Sequence, residues 1–256
     1  SIKRPSAARD RRRHRRTLAI KRMKQRVILR LAALGAAAFA ALAAGCGPTA
    51  AQIPPPSFTA SGDPAFDAWR ADYAARAVAS GRNPEVLRRL LEGVTPDQRV
   101  VDLDRRQPEF VSPVWDYING RVSAQRINAG RELKAALGPL LPAVEQRYGV
   151  DADIILGIWG LESNYGEANL PHDAPQALAT LAFEGRRRAA FETYLSALIE
   201  MVERGYAGPA ELKSSWAGAL GQPQFMPDAY LSTAVDWDGD GKRDIWNSRG
   251  DVAASI

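Results

Sequence analysis

Asp151-Ala152-Asp153-Ile154-Ile155-Leu156-Gly157-Ile158-Trp159-Gly160-Leu161-Glu162-Ser163-Asn164-Tyr165-Gly166 is the stretch on which the reading of this chain turns. Asp at position 151 can accept hydrogen bonds from the first amides of a helix, so a helix is predicted from Ala152. Ile155, Ile158 and Glu162 stand at i, i+3 and i+7, which puts the carboxylate on the apolar stripe of that helix instead of its solvent side. Desolvation disfavours the charged form and the nearby helix C-terminus adds partial negative charge, so both raise the pKa of Glu162. A carboxyl with a raised pKa is suited to protonate a glycosidic oxygen near neutral pH. The same spacing also fits a carboxylate that frays out at the helix end or pairs with an arginine.

Outward from this segment the signals remain helical. Asp63-Pro64 opens an amphipathic stretch through Phe66, Trp69, Tyr73 and Val78 to Gly81, and Asn83-Pro84 opens a short one closed by Gly93. Ser112-Pro113 begins a long helical region through Trp115, Ile118, Val122 and Ile127, and a further helix ends at Tyr148-Gly149. Residues 186–205 place Phe191, Leu195, Leu198, Ile199 and Val202 near i, i+4, i+7 spacing. Strand signals are confined to residues 99–103 and the surroundings of Ala234-Val235, and no internal repeat is evident. The fold is therefore expected to be mainly α. Phe110, Trp115, Tyr117 and Trp69 are assigned to the core, with sugar stacking as the alternative.

The 256 residues, 46% apolar, suffice for a buried core. The net charge of +5 suggests a polyanionic partner until its distribution is considered. Residues 1–26 hold 12 of the 34 Lys and Arg and one of the 29 Asp and Glu, leaving 22 basic against 28 acidic residues for the remainder. A net acidic body lacks the footprint of a nucleic-acid binder, so no nucleic-acid partner is expected. The only Cys is Cys46 and the only His residues are His14 and His172, which excludes an intrachain disulfide and leaves too few ligands for a zinc site. A Ser-His-Asp arrangement would rest on His172 alone. Carboxylate chemistry remains.

From Met23 the chain reads Met-Lys-Gln-Arg, then residues 27–45 are apolar apart from Arg30, and Cys46 follows. This has the form of a signal peptide. Residues 31–45 are too short and Ala-rich for a membrane span of about 20 apolar residues. Ala43-Ala44-Gly45-Cys46 looks like a lipoprotein cleavage box with Ala in place of the usual Leu; cleavage after Thr49-Ala50-Ala51 competes with it. The expected organisation is a leader and signal peptide at 1–46, with 1–22 an unused leader or a mis-called start, a Pro-rich linker at 47–62 carrying Pro54-Pro55-Pro56, and a helical domain at 63–256. Export to the periplasm is expected, with Cys46 as a candidate lipid anchor to the outer membrane.

Glu162-Ser163-Asn164-Tyr165-Gly166 resembles the segment that bears the catalytic glutamate in the B-type lytic murein transglycosylases. The resemblance continues in Ser215-Trp216-Ala217-Gly218-Ala219-Leu220-Gly221 with Gln224-Phe225-Met226-Pro227, in Phe183-Glu184-Gly185-Arg186-Arg187-Arg188-Ala189, and in Asp236-Trp237-Asp238-Gly239-Asp240-Gly241. Four ordered motifs are far more specific than any one. They imply a lysozyme-like domain that cleaves the MurNAc-GlcNAc β-1,4 bond of peptidoglycan strands, with the muramic acid 6-hydroxyl attacking its own anomeric carbon to give a 1,6-anhydro product. Glu162 would act as both acid and base, so the pair of carboxylates usual in glycosidases is not required. Ser215 and Gln224 would contact substrate, Arg187 and Arg188 would line the groove, and Tyr165, Phe225 and Phe191 would complete it. Phe191 stands where the family often has Tyr, and Gly185-Arg186 replaces a common Tyr-Pro. The family's domain continues beyond the position of Ile256, so the sequence reads as incomplete there. A non-catalytic peptidoglycan-binding module and a water-admitting hydrolase are the alternatives, and a monomer is expected.

Asp236, Asp238 and Asp240 at positions 1, 3 and 5, Gly241 at 6 and the Lys242 carbonyl at 7 fit the start of an EF-hand. Position 12 is Asn247 instead of Glu. The resemblance implies a longer loop closed by Asp251, with Asp244 contributing directly or through water. Structural calcium is the cofactor implied, and no organic cofactor is expected.

Overall fold

In the computed structural model, residues 53–106 and 113–256 are described, and Ile53–Ile256 forms one compact unit. The signal-peptide, leader and Cys46 readings, and Phe110 and the Tyr117 side chain, lie outside the described residues. Helix starts follow the local chemistry. Asp63 accepts from the amides of Ala65 and Phe66 at 2.9 and 3.1 Å and opens α1, Pro64–Ala79. Asn83 does the same for α2, Pro84–Leu91, through the Glu85 amide at 2.8 Å. Asp97 opens α3, Gln98–Arg105. Then come α4, Val114–Arg121, and α5, Ala124–Leu137. α6, Leu140–Tyr148, ends on Gly149 in the left-handed conformation, and α7 is Ala152–Ser163. A two-residue antiparallel pair of β1, His172–Asp173, and β2, Lys213–Ser214, encloses α8, Ala174–Glu184, and α9, Arg188–Glu203. α10, Pro227–Thr233, and α11, Arg249–Ser255, complete the chain.

Four expectations of local structure and core are corrected. Residues 99–103 form part of a helix: Val100, Val101 and Asp104 are buried along one helical face, and the Asp97 cap overrides the β preference of two adjacent valines. Ala234-Val235 is irregular backbone after α10. The long helix predicted from Ser112-Pro113 is two, because Ser123 accepts from the Arg126 amide at 3.2 Å and starts a new one. Trp69 is a core residue, as expected, and its indole donates to Glu192 at 3.0 Å. Trp115 is not: it is 73% exposed on α4.

The larger core joins α1, α2, α8 and α9 with the 207–245 region, and α8 is apolar almost all round, as befits a central helix. A second cluster gathers Leu137, Leu141, Val144, Ile155, Leu156, Trp159 and Val252 from α5, α6, α7 and α11. From Ile53 the chain already belongs to the compact unit. Phe58 lies under the Arg70 guanidinium at 4.8 Å, and the Thr59 amide donates to Glu92 at 3.2 Å. Among the described residues no helix is long and apolar enough to cross a membrane.

Candidate active site

Asp151 caps α7 as read from the sequence, its carboxylate accepting from the Asp153 amide at 2.7 Å. Ile155, Leu156 and Trp159 turn into the second core, whereas Ile154, Ile158 and Leu161 are exposed. Glu162 lies beside this open apolar surface and is itself exposed as a residue. Of the stripe read from the sequence, Ile155 is buried whereas Ile158 and Glu162 are exposed, so its Glu162 end is accessible instead of buried, which corrects the sequence reading. The carboxyl is nonetheless crowded enough that burial pushes its pKa above the ordinary value, opposed in part by the positive field of Arg121.

The turn after Glu162 is tightly determined. Asn164 and Tyr165 both adopt left-handed backbone, at φ 51° and 61°, and Gly166 follows at φ 91°. Such conformations cost non-glycine residues about 1–3 kcal/mol and persist where the surroundings enforce them. Ser163, buried, accepts from the Gly166 amide at 2.9 Å through its hydroxyl, and the Asn164 amide donates to the Gly160 carbonyl at 3.1 Å. Arg126 donates to the Asn164 side chain at 3.3 Å and also to the Arg121 carbonyl. The Tyr165 ring packs across two glycines. A Cβ on Gly160 would sit 2.6 Å from the Tyr165 hydroxyl oxygen, and one on Gly130 would also collide with it.

The remaining candidates fall into two groups. Ser215 is half-buried and closes a turn, its hydroxyl accepting from the Ala219 amide at 3.1 Å. Gln224 takes left-handed backbone at φ 53° and folds its amide onto the Gly221 carbonyl at 2.7 Å. Phe225 is half-buried against the larger core, and its backbone pairs with Leu220. The arginines are engaged with protein groups. Arg187 and Arg186 both donate to Asp104, which is 3% exposed, and Arg187 lies over the Phe191 ring at 5.0 Å. Arg188 donates to the carbonyls of Ala182 and Phe183 at the end of α8. Phe191 is a correction. It is 3% exposed within the larger core and presents no face to a groove.

In the acidic loop, one oxygen each from Asp236, Asp238 and Asp251 lies within 4.8 Å of the others. The loop's amides shape it: Asp236 accepts from Gly239 and Gly241, at 2.8 and 2.9 Å, and Asp238 from Asp240 at 3.2 Å. Asp240 accepts from Lys242 at 2.8 Å and stands outside the three-carboxylate group. Asp251, buried, accepts from the amides of Trp237 and Asp244 at 2.8 and 2.7 Å. Burial raises its pKa against the effect of those amides, and Asp238 raises it further. Converging carboxylates with hard oxygen donors fit a divalent cation that would cancel their repulsion.

The sequence profile described as Transglycosylase SLT domain matches residues 65–256. The chain belongs to this family. Membrane-bound lytic murein transglycosylase B of Escherichia coli (strain K12) is 42% identical over 103 residues, which is 40% of this chain and 28% of that protein. SltB3 from Pseudomonas aeruginosa, solved with NAG-NAM-pentapeptide, is 42% identical at TM-score 0.70 over 75% of this chain and 52% of its own. Escherichia coli Slt35, solved in complex with calcium, is 29% identical at TM-score 0.63 over 75% of this chain and 61% of its own. This transglycosylase SLT domain thus spans about half the length of the solved SltB3 chain, and less of the curated relative.

Sequence reasoning missed Asp104, Arg126 and Gln222 in this SLT domain. Each is defined by partners more than 30 positions away: Asp104 by Arg186 and Arg187, Arg126 by Asn164, and Gln222 by Trp159. A period or motif carries no signal for such pairs.

Proposed function

We propose that this chain is a lytic transglycosylase that cleaves the MurNAc-GlcNAc β-1,4 bond of peptidoglycan strands, with Glu162 as acid and then base. The observation that carries this reading is an accessible carboxyl with a raised pKa at the end of α7, beside an open apolar face. The neutral carboxyl donates its proton to the leaving glycosidic oxygen as the C1–O bond breaks. The muramic 6-hydroxyl then bonds to C1, and its proton passes to the Glu162 carboxylate, which restores the acid. No water is consumed, and the product ends in a 1,6-anhydro sugar. The related SltB3 has been solved with NAG-anhNAM-pentapeptide, a ligand of that kind. Glu167 accepts from Asn164 and Glu184 from Arg105, so these nearby carboxylates already hold protein donors. Ser215, Gln224, Phe225 and Tyr165 contact the sugar chain in this reading, flanked by the exposed Arg187 and Arg188. Digestion of purified peptidoglycan followed by mass measurement of the muropeptides tests it: anhydro ends support it, reducing ends indicate a hydrolase, and no release leaves a binding module.

Asp236, Asp238 and Asp251 hold calcium in this reading, with Asp240 and the Lys242 carbonyl completing its oxygen shell. The ion neutralises the loop's carboxylates and keeps α11 in place, a structural task. A ligand that binds only the folded state stabilises it by roughly 2.7 kcal/mol at 100 times its dissociation constant. Calcium is therefore expected to raise the melting temperature of the wild type and not of Asp238→Ala; equal responses would remove the assignment. The protein is exported to the cell envelope and anchored through an acylated Cys46. Cys46→Ser is expected to move it from the membrane to the soluble periplasmic fraction, and an unchanged distribution argues against the anchor.

A further inference from the structure

Gln222 stands between the end of α7 and the acidic loop and touches both. Its Oε1 accepts from the Trp159 indole N–H at 2.9 Å, its Nε2 donates to the Trp246 carbonyl at 2.6 Å, and its own amide donates to the Ile245 carbonyl at 2.9 Å. The two side-chain partners are of opposite kind. An indole only donates and a carbonyl only accepts, so both are satisfied at once only by a side chain carrying a donor and an acceptor on one rigid plane. Glutamate has no donor when ionised, and asparagine is a methylene shorter. The fit extends to Gly166, where a Cβ would lie 2.5 Å from Gln222 Oε1, so the glycine is what allows the amide to press against the turn after Glu162.

Trp159 precedes Glu162 by less than one helical turn and is 1% exposed, and Gly166 closes the strained Asn164-Tyr165 turn. On the other side, the Trp246 amide donates to Asp244 at 3.0 Å, and the Asp244 amide donates to Asp251. Gln222 also lies two residues before Gln224, within the tight 220–225 turn. One amide thus joins the Glu162 helix, the acidic loop and the segment carrying Gln224.

We propose that Gln222 is a positioning residue that holds the Glu162 turn in register with the Gln224 segment and the acidic loop. This rests on the reading of Glu162 as acid and base. A looser link lets the carboxyl wander relative to the bound sugar, and displacements on the order of 1 Å can cost about 100-fold in rate.

The test compares Gln222→Ala, the near-isosteric Gln222→Glu and Trp159→Phe, which removes the indole N–H together with the pyrrole part of a buried ring, with the wild type and Glu162→Gln. Hydrogen exchange of intact protein reads the link without reference to activity. The Gly166 amide and the amides of residues 244–247 are expected to lose protection together in all three variants, while α9 keeps its own. In peptidoglycan digestion well below the melting temperature, kcat is expected to fall by about 10- to 100-fold with KM little changed. The loss of kcat in Trp159→Phe combined with Gln222→Ala should fall well short of the product of the two single losses, because both cut one link. Wild-type exchange at Gly166, or wild-type kcat in Gln222→Glu together with independent multiplication of the two losses, overturns the proposal. If Glu162→Gln remains active, the catalytic reading fails instead, and the exchange result still decides whether Gln222 holds the turn.

Discussion

Glu162→Gln is expected to abolish release of anhydromuropeptides while leaving peptidoglycan binding intact. The amide keeps the volume and much of the hydrogen-bonding capacity of the carboxyl but has no proton to give the leaving oxygen. General acid catalysis contributes roughly 10² to 10⁴ in rate. In the proposed mechanism one group serves both proton transfers, so the loss should reach the upper end of that range. The raised pKa sets two further signs. If the neutral carboxyl is the acid, as proposed, kcat/KM of the wild type should fall as pH rises through the raised pKa of Glu162. For stability, a carboxyl whose folded pKa lies above its unfolded value favours the fold fully below the ordinary carboxylate range and loses that contribution as pH rises through the folded pKa. Glu162→Gln should thus melt no lower than wild type at neutral pH. Retention of wild-type anhydromuropeptide release by this variant would place the acid elsewhere.

The largest expected loss of stability comes from Arg70, on the buried side of α1. Its guanidinium is 1% exposed and donates to the carbonyls of Leu91, Val94 and Thr59 at 3.0, 3.2 and 2.7 Å and to Asp67 at 2.8 Å. It also lies over the rings of Phe58 and Phe66, at 4.8 and 5.4 Å. Arg70→Met keeps much of the apolar stem but strands the buried carbonyls of Leu91 and Val94, while water can replace the bonds to Thr59 and Asp67. Each stranded buried acceptor costs about 1–3 kcal/mol. A domain of this size loses about 2–4 °C of melting temperature per kcal/mol, so a drop on the order of 10 °C is expected. A melting temperature within about 2 °C of wild type would mean that water or a rearranged loop replaces those bonds. Exchange in residues 58–61 should rise in parallel, because Thr59 is one of the groups Arg70 holds.

The contrast between these two residues shows what was legible. Glu162 was singled out because its helix carries its own start signal, and because the residues after it form a recognisable segment. Arg70 sits on a helix whose start and period were also read correctly, yet the period alone gives no sign that a cation belongs on the buried side. Its burial depends on carbonyls at the ends of α2 and of the segment before α1, which only the fold brings together. The misreading of residues 99–103 has the opposite origin, since two β-branched residues outweighed an Asp97 cap that was present in the sequence. Trp115 was misjudged because hydrophobicity does not report which face of a helix finds a neighbour, whereas the period placed Phe191 on the apolar stripe of its helix and only the resemblance pointed it to the groove.

The sequence by itself determined the helix starts at Asp63, Asn83 and Asp151 and the stop at Gly149, and with them the predominantly helical class. These depend on contacts within about four residues, where side chain and amide meet whatever the rest of the chain does. Only the tertiary structure decided that the Glu162 face of α7 is open, that Asp104 is buried under Arg186 and Arg187, and that Gln222 bridges Trp159 and Trp246. A polar group can be buried only where its partners converge on it, and those partners come from positions up to 83 residues apart.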